Sequence, residues 1–178
     1  MHYVKQLRII EINKKSEIMS SYIYVDGWKS NIRFSSAHII PEYEKCGQLH
    51  GHTYAVHAKI SGKYDKNGII MDFSQLKDAL RQIVDELDHK ILIPEKNSAV
   101  KIEKNNTTVK ISFLEKNYSF PLVDCIFLPI ISTTAENLAL YVLEKIQKKI
   151  NFSKNIESIE IGVDEGYGQG SKISKNLQ

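Results

Sequence analysis

Hydrophobic and polar residues alternate along several stretches of this chain, and a period of two residues predicts β-strands. The longest alternation runs from His50 to Ile60, where every second side chain from Tyr54 onward is apolar. Runs of β-branched and aromatic residues, bounded by turn signals such as Asp26-Gly27, indicate further strands. We predict strands at residues 3–12, 22–25, 31–38, 50–60, 69–71, 107–114, 125–131 and 159–163.

Two other stretches show the spacing of an amphipathic helix with one buried face. The first begins at Asp72, an N-cap residue with Gln75 in the capping-box position, and ends near residue 87. The second begins at Thr133, with Glu136 in the capping-box position. Both patterns predict helices that pack one apolar side against a sheet.

The stretch between these helices has a different pattern. In residues 94–132, here called the inserted segment, Lys- and Asn-rich turns separate short β-branched runs, which we interpret as a hairpin or a pair of strands. Without this segment and the N-terminal piece, the order is strand, strand, helix, helix, strand. That order predicts an α+β fold with both helices on one face of the sheet.

Length and charge limit the possible classes of function. With 178 residues the chain fits a single domain, and its 24 basic and 21 acidic residues give a net charge of +3. So mild a charge does not predict a nucleic-acid partner, although it is compatible with a small anionic substrate. No apolar run approaches the roughly 20 residues that span a bilayer, and no signal peptide is visible, so we expect no membrane partner and a cytoplasmic protein.

Three histidines are placed to bind one metal ion. His50 and His52 are two residues apart on a predicted strand and therefore share one face, and His38 falls on the matching face of the preceding strand. His57 falls on the opposite face, which excludes it as a ligand. Zinc is the first choice, because three imidazoles leave a fourth position open for a substrate oxygen or water.

Cys46 lies four residues before His50, and its role is open. It could close a structural Cys-His₃ zinc site, or it could pack as a small hydrophobic residue. Its polar neighbours Lys45 and Gly47 argue against the packing interpretation, and a loop cysteine beside a lysine and a metal is a candidate general base or nucleophile. A disulfide with Cys125 is the weaker interpretation, because Cys46 lies inside the histidine cluster.

Three further residues have a functional and an ordinary interpretation. Asp88 and His89 could end a helix, with a cationic histidine at the negative end of the dipole, or the carboxylate could orient the imidazole for proton transfer. Glu165, at a strand end, could be a solvated carboxylate or could bind the edge of a cyclic amidine through two hydrogen bonds. Spacing does not decide between these interpretations.

These motifs together resemble the 6-pyruvoyltetrahydropterin synthase and 6-carboxytetrahydropterin synthase family. The runs that carry the resemblance are Phe34-Ser35-Ser36-Ala37-His38, Cys46-Gly47-Gln48-Leu49-His50-Gly51-His52, Met71-Asp72-Phe73, Leu87-Asp88-His89, Thr134-Ala135-Glu136-Asn137 and Val163-Asp164-Glu165. They occur in family order and cover roughly residues 31–93 and 133–168. The first 30 residues, as an N-terminal extension, and the inserted segment 94–132 are not covered.

The resemblance implies a role for each candidate residue. His38, His50 and His52 would bind zinc, and Cys46 would be the catalytic base with Asp88 and His89 as acid-base partners. Glu165 would anchor the pterin ring, with Thr134 and Glu136 near its pocket. The family has the tunnelling fold (T-fold), an antiparallel sheet with two helices, and assembles as trimers and hexamers with active sites at subunit interfaces.

The short cysteine spacing resembles the 6-carboxy branch of the family, which belongs to queuosine biosynthesis. The implied reaction converts 7,8-dihydroneopterin triphosphate to 6-carboxytetrahydropterin with release of acetaldehyde and triphosphate. The alternatives are a 6-pyruvoyltetrahydropterin synthase, which eliminates triphosphate, an enzyme that only cleaves the dihydroneopterin side chain, a non-catalytic module with a structural Cys-His₃ zinc, and a zinc hydrolase. The unmatched inserted segment, and Gly166-Tyr167 after the glutamate, leave the product open.

Overall fold

A computed structural model describes residues 21–178, so the strand predicted at 3–12 lies outside the described part of the chain. Ten strands, two α-helices and one short 3₁₀ turn follow one another along residues 21–178. The elements are β1 (Ser21–Val25), β2 (Arg33–His38), β3 (His50–Gly62), α1 (Phe73–Leu87), β4 (Lys90–Pro94), β5 (Lys101–Lys104), β6 (Thr108–Phe113), β7 (Lys116–Pro121), a 3₁₀ turn (Leu122–Asp124), β8 (Cys125–Leu128), α2 (Ala135–Lys149), β9 (Ile156–Glu165) and β10 (Gly170–Asn176).

Seven strands form the main sheet, in the order β10-β9-β3-β2-β4-β8, with β1 also paired to β3. β1 and β2 follow one another along the same edge of β3, and both are antiparallel to it. β9 pairs antiparallel with the other edge of β3, and β10 pairs antiparallel with β9. β4 and β8 extend the sheet beyond β2 as parallel strands.

Both helices cover one face of this sheet, which confirms the predicted α+β architecture. α1 buries side chains at helical spacing, including Leu76, Leu80 and Ile83, against strand residues such as Phe34 and Tyr54. α2 packs beside it and contributes Leu138, Ala139, Val142 and Ile146 to the same core. Each large apolar side chain buried in this way contributes about 1.5–3 kcal/mol, so this layer is the main source of stability.

Within the inserted segment, residues 101–121 form a three-stranded antiparallel sheet, β5-β6-β7, rather than one hairpin or two strands, and the last strand, β8, belongs to the main sheet. The small sheet lies in the chain between the parallel neighbours β4 and β8. Parallel strands cannot be joined by a tight turn, and the small sheet forms part of the crossover between them. Its apolar side packs on the main body in a second core that contains Ile39, Ile93, Val109, Ile111 and Phe113.

Two local predictions were wrong, and one strand was missed. Residues 69–71 are not a strand, because Asp65 accepts hydrogen bonds from the amides of Asn67 and Ile69 (both 2.8 Å) and closes a local loop. The N-cap of α2 is Thr134, because the hydroxyl of the buried Thr133 donates to the Ile39 carbonyl instead. β10 was not predicted, since its sequence alternates too weakly. Asp72 is the N-cap of α1 as predicted.

A cluster of hydrogen-bonded polar side chains lies on the face of the sheet opposite to the helices. His57 belongs to this cluster and lies on that face as predicted. The Gly27 amide donates to His57 Nδ1 (3.1 Å), so the ring proton is on Nε2 and is donated to Asp164 Oδ2 (3.0 Å). Trp28 Nε1 donates to the same carboxylate oxygen (2.8 Å). The cluster thus joins the β1–β2 turn to β3 and β9.

Among the described residues, no helix combines the length and the apolar composition needed to cross a membrane.

Replacement of Gly27 by alanine is expected to destabilise the protein. A Cβ there would collide with the main chain of Val56, and relief of the clash would pull Gly27 away from His57. We expect a loss of about 1–3 kcal/mol in the free energy of unfolding, the range for overpacked sites, measured by urea denaturation. Lys29→Ala, an exposed change in the same turn, is the control. Equal midpoints for Gly27→Ala and the parent would contradict this account.

Candidate metal centre and adjoining cavity

The pairing register of β2 and β3 brings three histidines together. His38 lies directly opposite His50, and His52 lies opposite Ser36, so all three side chains project from the helix-covered face. One ring nitrogen from each lies within 4.8 Å of the others. The structure therefore places the three predicted metal ligands in one group.

Backbone carbonyls determine which ring nitrogens face the centre of this group. His38 Nδ1 lies 3.0 Å from the Thr133 carbonyl oxygen, and His50 Nδ1 lies 2.7 Å from that of Gln48. A carbonyl only accepts, so both Nδ1 atoms carry the proton. The two Nε2 lone pairs then face each other across 3.0 Å, close to the separation of about 3.3 Å between two nitrogens on a tetrahedral zinc. This donor set fits a metal ion.

The environment keeps His38 and His52 in the neutral form that binds metal. Burial, as the largest cause, and the two histidine neighbours together lower the pKa of His38 to about 4, against the opposing effect of the Thr133 carbonyl. Burial and the nearby His50 also lower the pKa of His52. At neutral pH a metal would therefore displace few protons from His38 and His52.

Cys46 is not a member of the group. Among the described residues, the potential ligand atoms that cluster within 4.8 Å are those of the three histidines. Cys46 is partly buried on the loop between β2 and β3 and lines a neighbouring cavity. This arrangement leaves the fourth position of a tetrahedral site open.

A cavity of about 270 Å³ lies near enough to the histidines for His50 to influence the Glu165 carboxylate on its wall. It is lined by four of the predicted site residues and by none of the three histidines. Its lining consists of Ile40, Tyr43, Cys46, Thr134, Ala135, Glu136, Glu165, Gln169 and Gly170. A second cavity, of about 700 Å³, shares Tyr43 and Thr134 with it and extends to Lys96 and Ser98 of the inserted segment. The two together form a recess large enough for a small molecule with a polar side chain.

Two buried polar atoms next to this cavity have no hydrogen-bond partner within residues 21–178. They are Glu165 Oε1 and the Tyr54 hydroxyl, on directly opposed residues of β9 and β3. Burial raises the pKa of Glu165, as does the carboxylate of Glu136, while His50 opposes the shift. Unpaired buried polar atoms are uncommon, and a bound ligand with N–H groups would satisfy this carboxylate.

Asp88 and His89 lie elsewhere. His89 lines a different, open cavity with Ser35 and Thr53, which project from the face opposite to the three histidines, and with His52 of the histidine group. His89 Nδ1 contacts Asp88 Oδ2 at 2.7 Å, and the Ser35 amide donates to Asp88 Oδ1 at 2.7 Å. Burial opposes ionisation of Asp88, but these hydrogen bonds lower its pKa below the ordinary value.

The backbone at His89 is unusual. Its φ is +56°, in the left-handed region that non-glycine residues rarely occupy, and its side chain is 85% exposed. Strain of this kind persists where the surroundings impose it, here through the bond from the His89 amide to the Ser35 carbonyl (2.8 Å). Within one chain, the Asp88–His89 pair therefore presents an oriented imidazole to the solvent and not to Cys46.

Sequence reasoning missed several residues of this region. Tyr54 follows the histidine parity and packs against His52 (ring centroids 5.6 Å apart), so its alternation could have identified it. Tyr43 and Gln169 line the cavity from loops that carry no motif. The Thr133 carbonyl gives no sequence signal, because every residue has one.

Comparison with known proteins agrees with this geometry. A family profile described as 6-pyruvoyl tetrahydropterin synthase matches residues 28–175. A relative from Methanocaldococcus jannaschii, named "Putative 6-carboxy-5,6,7,8-tetrahydropterin synthase", is 40% identical over 158 residues, which cover 86% of this chain and 96% of the relative. The 6-carboxy-5,6,7,8-tetrahydropterin synthase of Rickettsia conorii is 33% identical over 129 residues, 70% of this chain and 82% of the relative.

Solved structures are similar as well. The 6-pyruvoyl tetrahydropterin synthase of Plasmodium falciparum superposes with a TM-score of 0.82 at 31% identity, over 89% of this chain and 99% of that one. The corresponding Plasmodium vivax enzyme gives 0.82 at 29% identity over the same shares. Since the profile spans most of the sequence and the relatives align over nearly their whole length, the chain belongs to the 6-pyruvoyl tetrahydropterin synthase family.

Proposed function

We propose that this protein is a zinc-dependent pterin synthase that converts 7,8-dihydroneopterin triphosphate to 6-carboxy-5,6,7,8-tetrahydropterin, with release of acetaldehyde and triphosphate. The observation that carries the proposal is a cavity lined by both Cys46 and Glu165, with the three-histidine group close enough for His50 to act on the Glu165 carboxylate. The names of the relatives from Methanocaldococcus jannaschii and Rickettsia conorii support the 6-carboxy product.

His38, His50 and His52 would hold the metal through neutral imidazoles, two of them oriented by backbone carbonyls. Three nitrogen ligands suit zinc and leave one position for the substrate. Zinc bound there would act as a Lewis acid that lowers the pKa of the side-chain hydroxyls of the pterin. The exclusion of Cys46 from the ligand group supports this open arrangement over a closed Cys-His₃ site.

Glu165 would select the pterin ring. Its unpaired Oε1 is buried at the cavity, and a pterin presents an amino group and a ring N–H in the geometry that a carboxylate accepts from. These two hydrogen bonds would stabilise the ionised carboxylate against the burial that raises its pKa. Thr134 and Glu136 lie on the same wall and would confine the ring. Lys96, in the second cavity, would offer positive charge to the triphosphate.

Cys46 would move the proton. Cys46 lies on the wall of the cavity, whereas Asp88 and His89 of the same chain lie outside it. We propose that this pair acts from a neighbouring copy in a homotrimer or hexamer, where an exposed, oriented imidazole reaches an adjoining active site. The pair Asp88–His89 would then exchange protons with the substrate face that Cys46 does not reach.

The second candidate is a 6-pyruvoyltetrahydropterin synthase. It is favoured by the structural similarity to the two Plasmodium enzymes of that name. Both reactions could use the same metal, base and ring anchor, so the product distinguishes them.

The decisive experiment is incubation of the zinc-loaded protein with 7,8-dihydroneopterin triphosphate. We expect a carboxypterin by mass spectrometry and an equimolar amount of acetaldehyde in a coupled dehydrogenase assay. Protein without added substrate and substrate without protein are the controls. A pyruvoyl product without acetaldehyde would establish the second candidate, and absence of turnover would refute both.

Replacement of a single metal ligand is expected to abolish zinc binding. His52→Ala removes one of three ligands, and we expect the zinc content after gel filtration, measured by mass spectrometry, to fall from one ion per chain to a small fraction. His89→Ala is the matched control, because this exposed imidazole is outside the cluster. A His52→Ala protein with full zinc content would contradict the assignment.

Replacement of Cys46 separates catalysis from metal binding. We expect Cys46→Ala to lower kcat by about 10²–10⁴-fold, the usual contribution of a general base, with zinc content unchanged. Cys125→Ala is the control, because burial and Asp124 raise the pKa of that thiol and make it unreactive. Loss of zinc from Cys46→Ala would indicate a structural Cys-His₃ site, and full activity would indicate hydrolysis by the metal centre alone.

A further inference from the structure

The loop that carries Cys46, residues 39–49 between β2 and β3, contains little regular structure of its own. Four internal backbone hydrogen bonds shape it, among them those from the Ile40 amide to the Cys46 carbonyl (2.8 Å) and from the Gly47 amide to the Tyr43 carbonyl (2.6 Å). Residues 42–45 are exposed. A proton-transfer group on such a loop needs support from outside, because small displacements of a catalytic group reduce the rate strongly.

The inserted segment supplies that support at the start of the loop. Ile39 is buried in the second core with Val109, Ile111 and Phe113 of β6. The apolar side of the small sheet thus packs under the point where the chain leaves β2. This contact fixes one end of the loop but does not reach Cys46 itself.

A single lysine of the inserted segment holds the peptide next to Cys46. Lys116 Nζ donates to the carbonyl oxygen of Gly47 at 2.6 Å, a short, charge-assisted hydrogen bond between partly buried groups. Gly47 is buried, so its carbonyl would lose this stabilisation without an easy replacement from water. Lys116 thereby connects β7 to the residue that directly follows the cysteine.

The position of Lys116 is itself well defined. It is the first residue of β7, paired with Phe113 across a two-residue turn, and its ammonium group lies 5.7 Å from the Phe113 ring centroid. The turn includes Leu114, whose φ of +48° is rare for a leucine and whose side chain is 86% exposed. The hairpin tolerates this unfavourable conformation while it directs the lysine toward the loop.

A second connection runs from the inserted segment to the part of the loop that precedes Cys46. The side-chain amide of the buried Asn97 donates to Glu42 Oε1 (2.8 Å), and its oxygen accepts from the Ala99 amide (2.9 Å). Two independent elements of the segment, the turn after β4 and the start of β7, therefore bind both sides of the cysteine loop.

We propose that the inserted segment positions Cys46 and that Lys116 is its principal positioning residue. Lys116 acts through Gly47 and does not itself contact the reacting atoms. The proposal rests on the role of Cys46 proposed above, but it concerns the geometry of the loop, which is measurable without turnover.

The test compares Lys116→Met, which removes the donor, with Lys116→Arg, which keeps a charged donor, and with Lys110→Met, an exposed lysine of the same small sheet. For Lys116→Met we expect kcat to fall about tenfold while KM and zinc content stay within about twofold, because a misplaced base affects the chemical step. Lys116→Arg is expected to recover most of the activity, and Lys110→Met to match the parent.

Two readouts do not depend on catalysis. In a Cys125→Ala background, iodoacetamide is expected to alkylate Cys46 about fivefold faster in Lys116→Met, and amides of residues 40–48 are expected to exchange with deuterium faster while β3 and α2 do not. Glu42→Ala, at an exposed position, removes the second connection with little risk to folding and is expected to act in the same direction.

The results separate the two proposals. If alkylation and exchange rise but the parent protein makes no pterin product, the positioning stands and the proposed function fails. If folded Lys116→Met and Glu42→Ala proteins both show the exchange and alkylation rates of the parent, the positioning proposal is overturned, whatever the activity.

Discussion

The register of β2 against β3 is the constraint on which the site depends. Side chains alternate between faces, so His38 and His50 meet only when these two strands are paired as they are. A slip by one residue would send one imidazole to the opposite face and Phe34 into solvent. The same pairing that buries the aromatic core therefore assembles the three-histidine group, and neither can be changed without the other.

Much of this site could be predicted from sequence because it depends on alternation. The alternation places His38, His50 and His52 on one face, which identified the histidine group. It places His57 on the opposite face, which excluded His57 as a candidate ligand. Cys46, Thr134, Glu136 and Glu165 were expected near one pocket from the resemblance, and they line one cavity. Two amphipathic helices on one face followed from their spacing, and the fold class was correct.

What escaped prediction depends on contacts between distant segments. The Thr133 carbonyl orients His38 from 95 residues away, and the same residue's hydroxyl bond to Ile39 moves the helix start by one position. The apolar run at residues 69–71 belongs to a loop, because the Asp65 side chain accepts two local hydrogen bonds there. The three-stranded arrangement of the inserted segment reflects the need for a crossover between two parallel strands. None of these has a periodic signature.

Asp164 and Glu165 are consecutive residues of β9 with opposite surroundings. Asp164 binds His57 and Trp28 on one face, while Glu165 borders the cavity on the other. Rotation of this strand about its axis would disturb both at once. Substitutions at Asp164 are therefore expected to disturb the position of Glu165, although Asp164 itself does not line the cavity. Variant effects at such a strand are better interpreted for pairs of adjacent residues, which project from opposite faces of the same strand, than for single residues.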